Sequence, residues 1–324
     1  MTQPRPLRIL LADDDPISSS ILERRVRSWG FDPVHAANGT EAWARLKERE
    51  TRLAIVDWEM PDADGPELCR RVRAAGKPNY TYIILLTSRN ENADIIAGLN
   101  AGADDYMTKP LRVEELQARL QAGRRIVDLE DRLLDSQKKL YEMATRDALT
   151  GVWNRRTIIQ FLGDELAHAR RKGTATGLIM IDADHFKAIN DTYGHQAGDK
   201  ALSVLAGRLE GAVRPYDRVG RYGGDEFLIV LPDCAAADME RIAERLRRNC
   251  SRKPARFRGA ALGLTLSIGC ASSTGRSRLT ADRLILAGDQ ALYEAKKRGR
   301  DGVVCSAPAV RVKKTGGRHA GPKK

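Results

Sequence analysis

Two stretches in the second half of the chain carry the residue types that divalent-metal and phosphate chemistry needs. One is the turn Arg221-Tyr222-Gly223-Gly224-Asp225-Glu226-Phe227, where paired glycines precede two carboxylates. Glycines at such a turn permit the positive φ of a tight hairpin and, lacking Cβ atoms, let a phosphate chain lie close to the backbone. The other is Asp182-Ala183-Asp184, which ends the apolar run Leu178-Ile179-Met180-Ile181. If that run is a strand beside the hairpin, Asp182 and Asp225 face each other and can hold Mg²⁺ against a triphosphate. Lys187 can then offset charge on transferring phosphate oxygens. Asn190 and Asp199 suit the Watson–Crick edge of guanine, because the amide donates to O6 and the carboxylate accepts from N1–H and N2–H₂. Adenine lacks those donors and leaves the aspartate unpaired.

A second acidic set lies in the first half: Asp13, Asp14 and Asp57, with Thr87 and Lys109-Pro110 further along. Each falls at the C-terminal end of an expected strand, where ligands collect in an open parallel sheet. Clustered carboxylates repel one another unless a hard cation is bound. A carboxylate nucleophile at Asp57, an ammonium at Lys109 and a hydroxyl at Thr87 around Mg²⁺ form a site for a phosphoryl group.

The elements that must position these groups fall into two patterns. Over the first ~120 residues, short apolar runs (Arg8–Ala12, Pro33–Ala36, Leu53–Val56, Tyr82–Leu86, Asp105–Thr108) alternate with helical stretches such as Pro16–Trp29, Thr40–Arg49 and Ala93–Ala101, the pattern of an α/β doubly wound parallel sheet. From Val113 to about Thr145 the sequence is helical without proline, and Ile126, Leu129, Leu133, Leu140 and Met143 fall at a and d positions with Ser136 at one d. That predicts a short parallel coiled coil, with Gly123 and the polar faces marking a linker. Beyond Asp147, strands at Gly177–Ile181, Arg218–Tyr222, Phe227–Leu231 and Leu262–Gly269 and helices at Asp199–Gly211, Ala236–Cys250 and Thr280–Lys297 predict an α+β sheet of antiparallel pairs. The expected domains are therefore 1–122, a helical linker 123–145, a second domain 146–305 and a basic tail 306–324.

Composition narrows the partners. The chain of 324 residues has 42% hydrophobic and 30% charged residues and no apolar run of membrane-spanning length. Its five cysteines (Cys69, Cys234, Cys250, Cys270, Cys305) show no CxxC spacing and read as free thiols of a cytoplasmic protein. The net charge of +12 raises a nucleic-acid partner, but Arg311, Lys313, Lys314, Arg318, Lys323 and Lys324 concentrate it in a Gly- and Pro-containing tail that reads as solvated.

The first half resembles the receiver domains of bacterial two-component response regulators in Asp13-Asp14, Asp57-x-x-Met60-Pro61, Thr87-Ser88 and Lys109-Pro110. The resemblance implies phosphorylation of Asp57 by a histidine kinase, with Thr87 and the Tyr106 ring as the switch. The second half, from Asp147-Ala148-Leu149-Thr150-Gly151 through Gly302, resembles the GGDEF-domain diguanylate cyclases, whose fold is similar to that of nucleotidyl cyclases. It implies condensation of two GTP to cyclic di-GMP, in a homodimer, with Mg²⁺ or Mn²⁺. By that resemblance Asp182, the Ala183 carbonyl and Asp225 bind the metals; Asp225 is the general base, and Lys187 and Glu226 complete the catalytic set. Phe186, Asn190, His195, Asp199, Gly223 and Gly224 line the nucleotide site, and Lys296 and Arg300 grip the terminal phosphates. Asp301 stands where the family commonly has Asn. Arg214-Pro215-Tyr216-Asp217, with Arg241 and Arg245, matches an inhibitory site for the product.

Two competing readings exist. A silent cyclic di-GMP-binding module would have lost members of the set Asp182, Lys187, Gly223, Gly224, Asp225 and Glu226, all of which are present. A DNA-binding response regulator needs a helix-turn-helix after the receiver, and the sequence beyond residue 145 offers none.

Overall fold

The computed structural model describes residues 6–306 apart from 49, 77–78, 89–90 and 275–278. The basic tail expected at 306–324 therefore lies, from residue 307 on, outside the described residues. The chain divides into two compact units, Met1–Lys139 and Leu140–Lys324.

In the first unit, strands β1 (Leu7–Ala12), β2 (Phe31–Ala36), β3 (Thr51–Asp57), β4 (Tyr82–Thr87) and β5 (Asp105–Thr108) alternate with helices α1 (Pro16–Ser28), α2 (Gly39–Leu46), α3 (Gly65–Ala74) and α4 (Asn92–Asn100). The sheet is parallel throughout, in the order β2-β1-β3-β4-β5. Successive residues of one strand feed opposite cores: Leu10, Val56 and Leu85 on one face, Ile9, Ile55 and Ile84 on the other. Both faces are covered by helices, as a parallel sheet requires. Asp15, Asn38 and Asp64 accept from the first free amides of α1, α2 and α3 and start those helices.

Helix α5 (Val113–Thr145) follows without a break. It stays packed on its own sheet well past residue 122. Gly123, expected to mark a linker, is instead a close-approach position, where a Cβ would come 2.5 Å from the Tyr82 ring. Val127 is buried, and Arg52, its side chain only 8% exposed, donates to Asp131 at 2.6 Å and Glu130 at 2.9 Å. Farther along, Leu129, Leu133, Leu140 and Met143 project into solvent, each more than half exposed at 57–78%.

In the second unit, helices α6 (Arg155–Lys172), α7 (Phe186–Tyr193), α8 (His195–Ala212), α9 (Ala236–Ser251) and α10 (Ala281–Lys297) accompany strands β6 (Thr176–Ala183), β7 (Arg218–Arg221), β8 (Glu226–Leu231), β11 (Leu266–Ser273) and β12 (Val303–Cys305), with a small hairpin of β9 (Ala255–Phe257) and β10 (Ala260–Leu262). The sheet order is β12-β11-β6-β8-β7, antiparallel except for the β11–β12 pair. Helices α8 and α9 cover one face, and α6 and α10 the other. The strand expected at Leu262–Gly269 lies four residues later. Gly269 sits so close under α10 that a Cβ would strike the Gly288 carbonyl and the Leu292 amide, so the strand continues through small residues to Ser273. Among the described residues, no helix is long and apolar enough to cross a membrane.

Candidate functional site

The parallel sheet delivers Asp13, Asp57, Thr87 and Lys109 to one edge, just beyond or at the ends of β1, β3, β4 and β5. Carboxylate oxygens of Asp13, Asp14 and Asp57 lie within 4.8 Å of one another. Asp13 and Asp57 are buried while Asp14 faces solvent. Lys109 Nζ donates to Asp57 Oδ2 at 2.6 Å and stands 3.8 Å from Asp13. The Asp57 Oδ1 accepts from the Trp58 amide at 2.8 Å. Asp13 Oδ1 accepts from the Asp15 amide at 3.0 Å, but its Oδ2 is buried with no protein donor. Burial pushes the Asp13 carboxyl above its usual range, and the Asp15 amide and Lys109 only partly offset this. Burial alone would lower the Lys109 ammonium, yet the Asp57 hydrogen bond and the surrounding carboxylates carry it above its usual value. An orphaned carboxylate oxygen inside an acidic cluster fits a hard cation. Tyr106 is half-buried and packs against the core that contains Trp58 and Leu85.

In the second unit, β6 runs beside β8 and ends where the hairpin turns. The register differs in one detail from the expected pairing: Asp182 lies opposite Glu226, and the neighbouring Asp225 carbonyl accepts from the Ala183 amide at 3.2 Å. All three acids still meet at one strand end. Burial raises the Asp182 carboxyl, and Asp225 and Asp184 raise it further against the pull of Lys296. Burial likewise raises Glu226, followed by repulsion from Asp182. Lys296, in the last turn of α10, donates to Asp182 Oδ2 at 2.6 Å. That strand end is charged and partly desolvated, but among the described residues only Asp13, Asp14 and Asp57 bring three carboxylates within 4.8 Å of one another.

The glycines act differently from the hairpin expectation. Neither Gly223 nor Gly224 has positive φ. A Cβ on Gly223 would lie 2.6 Å from Glu226 Oε2, so this glycine makes room for that carboxylate. Gly224 faces open space, leaving its backbone approachable. Arg221 clamps the turn by donating to the Gly224 carbonyl at 2.6 and 3.1 Å and to Asp147 at 3.1 and 3.2 Å. Burial would raise Asp147, but bonds from Thr150 and Arg221 hold it below the usual range.

Helix α7 starts directly after the acidic strand end and carries Phe186, Lys187 and Asn190; α8 opens with His195 and carries Asp199. Gly198 brings the two helices together, since a Cβ there would occupy the space of the Asn190 amide oxygen and the Phe186 ring. Lys187, His195 and Asp199 are exposed, so the site is an open shelf. Sequence reasoning missed Asp184. It is buried, accepts from Ser267 Oγ at 2.6 Å and from the Asp301 amide at 3.0 Å, and so fixes the turn that bears Arg300. The repeated acid in Asp182-Ala183-Asp184 was the available signal.

Asp217 is buried, accepts from the Arg214 amide at 2.8 Å and has its carboxyl raised by burial. The Arg214 guanidinium points outward and donates to Tyr216 Oη at 3.0 Å. Arg245 donates to the Ala212 carbonyl at 3.0 Å, close enough for its charge to act on Asp217. Arg241 projects from α9, 80% exposed, and pairs with Asp238 at 2.6 Å. Beside Arg214 and Asp217 lies a groove of about 320 Å³ that Arg146, Trp153, Glu210 and Arg218 also line.

Comparison with known proteins finds two families along the chain. Residues 9–121 match the family described as the response regulator receiver domain, and residues 144–302 the family described as diguanylate cyclase, GGDEF domain. The chain is 33% identical over 257 residues to the response regulator PleD of Caulobacter vibrioides, an alignment covering 79% of this chain and 56% of PleD. It is 41% identical over 172 residues to diguanylate cyclase DosC of Escherichia coli, covering 51% of this chain and 37% of DosC. It thus spans about half the length, or less, of these curated relatives. The crystal structure of the coiled coil and GGDEF domain of DgcB from Caulobacter crescentus, in complex with c-di-GMP, is similar with a TM-score of 0.52 and 30% identity, over 59% of this chain and 99% of that one. Diguanylate cyclase SiaD from Pseudomonas aeruginosa, in complex with its activator SiaC, gives a TM-score of 0.50 and 36% identity, over 60% of this chain and 74% of that one. With the strand-end acids, the Gly-Gly turn and the receiver pocket all in their expected elements, the chain belongs to the GGDEF-domain family and carries a response regulator receiver domain ahead of that domain.

Proposed function

We propose that the chain is a response regulator that condenses two GTP into cyclic di-GMP and two pyrophosphates, under control of phosphorylation at Asp57. The observation that carries this reading is the meeting of Asp182, Asp225 and Glu226 at one strand end, with Lys296 at 2.6 Å from Asp182. The donor chemistry of both acidic sites fits Mg²⁺, which when bound would neutralise phosphate oxygens and orient them for attack. Asp13, Asp14 and Asp57 would hold it in the receiver; Asp182, the Ala183 carbonyl and Asp225 would hold it in the cyclase.

Asn190 and Asp199 select guanine through its O6 and its N–H edge, with Phe186 and His195 beside them. Lys296 and Arg300 hold the terminal phosphates, and the open backbone at Gly224 lets the chain of phosphates lie against the turn. Asp225 accepts the proton of a 3′-hydroxyl as its oxygen bonds to the α-phosphorus of the other GTP. Pyrophosphate leaves in line, and Lys187 and the Glu226 carboxylate set the charge around the transferring group. The step occurs twice to close the ring. Each domain holds one GTP, so two copies must face each other, a proximity effect. The exposed stripe Ile126, Leu129, Leu133, Leu140 and Met143 on α5 supports a parallel homodimer.

A histidine kinase would supply the phosphoryl group to Asp57, Lys109 would neutralise it, and Thr87 and Tyr106 would respond. Arg214 and Asp217, with Arg241 and Arg245, would bind the product and slow the enzyme. The test is direct: purified chain with GTP and Mg²⁺ is expected to form cyclic di-GMP. No product, with or without a phosphoryl mimic on Asp57, would leave a module that only binds cyclic di-GMP.

A further inference from the structure

The turn after α10 is held in an unfavourable shape. Gly299, Arg300 and Asp301 have φ of 111°, 65° and 39°, so two consecutive non-glycine residues adopt left-handed backbone. Such conformations persist only where the surroundings determine them. The backbone on both sides is tied down: the Arg300 amide donates to the Ala295 carbonyl at 3.2 Å, the Asp301 amide to Asp184 at 3.0 Å, and the Gly302 carbonyl accepts from Ile268 at 2.9 Å. One side-chain contact reaches the turn from a different helix. Arg247 of α9 donates to Asp301 Oδ1 at 2.7 Å. Its other nitrogens fork onto Glu244, one turn back, at 2.9 and 2.8 Å, and the Arg247 side chain is only 20% exposed. The guanidinium is therefore aimed before it meets Asp301, and little of its freedom is lost in gripping the turn.

We propose that Arg247 and Asp301 are positioning residues that hold the Gly299–Gly302 turn so that Arg300 faces the terminal phosphates of the nucleotide. This rests on the proposed reading of Arg300 as a phosphate ligand. Neither member of the pair is among the proposed nucleotide contacts. They act through the backbone of the turn, whereas Lys296 is fixed independently by Asp182. The aspartate at 301 gives Arg247 a charged partner, and charge-assisted hydrogen bonds are the stronger kind.

The test measures nucleotide affinity by calorimetry on the full chain with Mg²⁺, comparing a non-hydrolysable GTP analogue with GMP. Binding is read without turnover, so the result does not depend on cyclase activity. R247A and D301A are each expected to weaken the triphosphate roughly tenfold while leaving GMP unchanged, because relaxing a strained turn of this kind carries about that penalty. The double variant R247A/D301A should be no weaker than either single one, as for two ends of one contact. D301N, which keeps a residue tolerant of left-handed backbone, should fold normally and lose affinity by a smaller factor. Unchanged triphosphate affinity in R247A and D301A, equal losses for GMP and triphosphate, or additive losses in the double variant would overturn the positioning role. If the unmodified chain bound GMP but gained nothing from the added phosphates, the Arg300 reading itself would fall, and this inference with it.

Discussion

The two acidic sites are built from similar residues but differ in completeness. The receiver pocket draws on one sheet: β1, β3, β4 and β5 each deliver one group, and Lys109 lies between two of the acids, donating to Asp57 at 2.6 Å and standing 3.8 Å from Asp13. The cyclase site is a shelf, with acids gathered at the end of β6 but Lys187, His195 and Asp199 left in solvent. A phosphoryl site can be finished by one sheet, since its nucleophile, counter-charge and metal ligands come from a single chain. A reaction that joins two bound nucleotides needs its second wall from another copy. On the proposed function, exposure of the second site follows from that chemistry.

The comparison breaks most sharply at the Asp225 carboxylate. Asp225→Ala should lower cyclic di-GMP formation by about 10³-fold or more, since it removes a proton acceptor and a metal ligand together. Near-normal product formation from this variant would refute both roles. Asp57→Asn should leave basal turnover intact and eliminate stimulation by acetyl phosphate; an undiminished response would place control outside the receiver pocket. Arg214→Ala should raise the concentration of added product needed for half-inhibition by roughly tenfold, the loss expected for one charged guanine contact. No change in inhibition would mean that the Arg214–Asp217 groove does not bind the product.

Much of this difference was legible in the residues. The receiver strands recur at regular intervals as apolar runs with acids or a hydroxyl at their ends, so both sheet and pocket follow from pattern. Other features depend on contacts that no local pattern carries. The Asp182–Glu226 register comes from the whole β6–β8 ladder. The strand β11 runs past Gly269 through small residues of weak strand propensity because α10 lies against it. Gly198 looks like a poor helix residue until Asn190 and Phe186 are found pressed upon it. Helix α6 went unassigned, although Asn154 caps its start and Gly173, with φ of 76°, ends it.

Metal linkage gives a smaller effect. With three carboxylates crowded within 4.8 Å, the first unit should gain stability from Mg²⁺, and Asp13→Asn should gain it without the ion. The variant's melting temperature in chelator should rise by about 3–6 °C, as ~1 kcal/mol gives in a domain of this size, and Mg²⁺ should then add little. An equal Mg²⁺ shift in both proteins would show that the ion binds elsewhere.

The smallest change tests how far the receiver sheet holds α5. Gly123 lies within α5, where alanine would ordinarily strengthen a helix by about 1 kcal/mol. Here the added methyl meets the Tyr82 ring, which belongs to β4 and cannot retreat without disturbing the core around Ile84 and Leu120. Overpacking of that kind costs about 1–3 kcal/mol, so the two effects oppose and the steric one should win. Gly123→Ala is therefore expected to destabilise the first unit by about 1 kcal/mol in denaturant unfolding. A stabilised variant would mean that α5 lifts from the sheet at this point instead of staying anchored as far as Asp131.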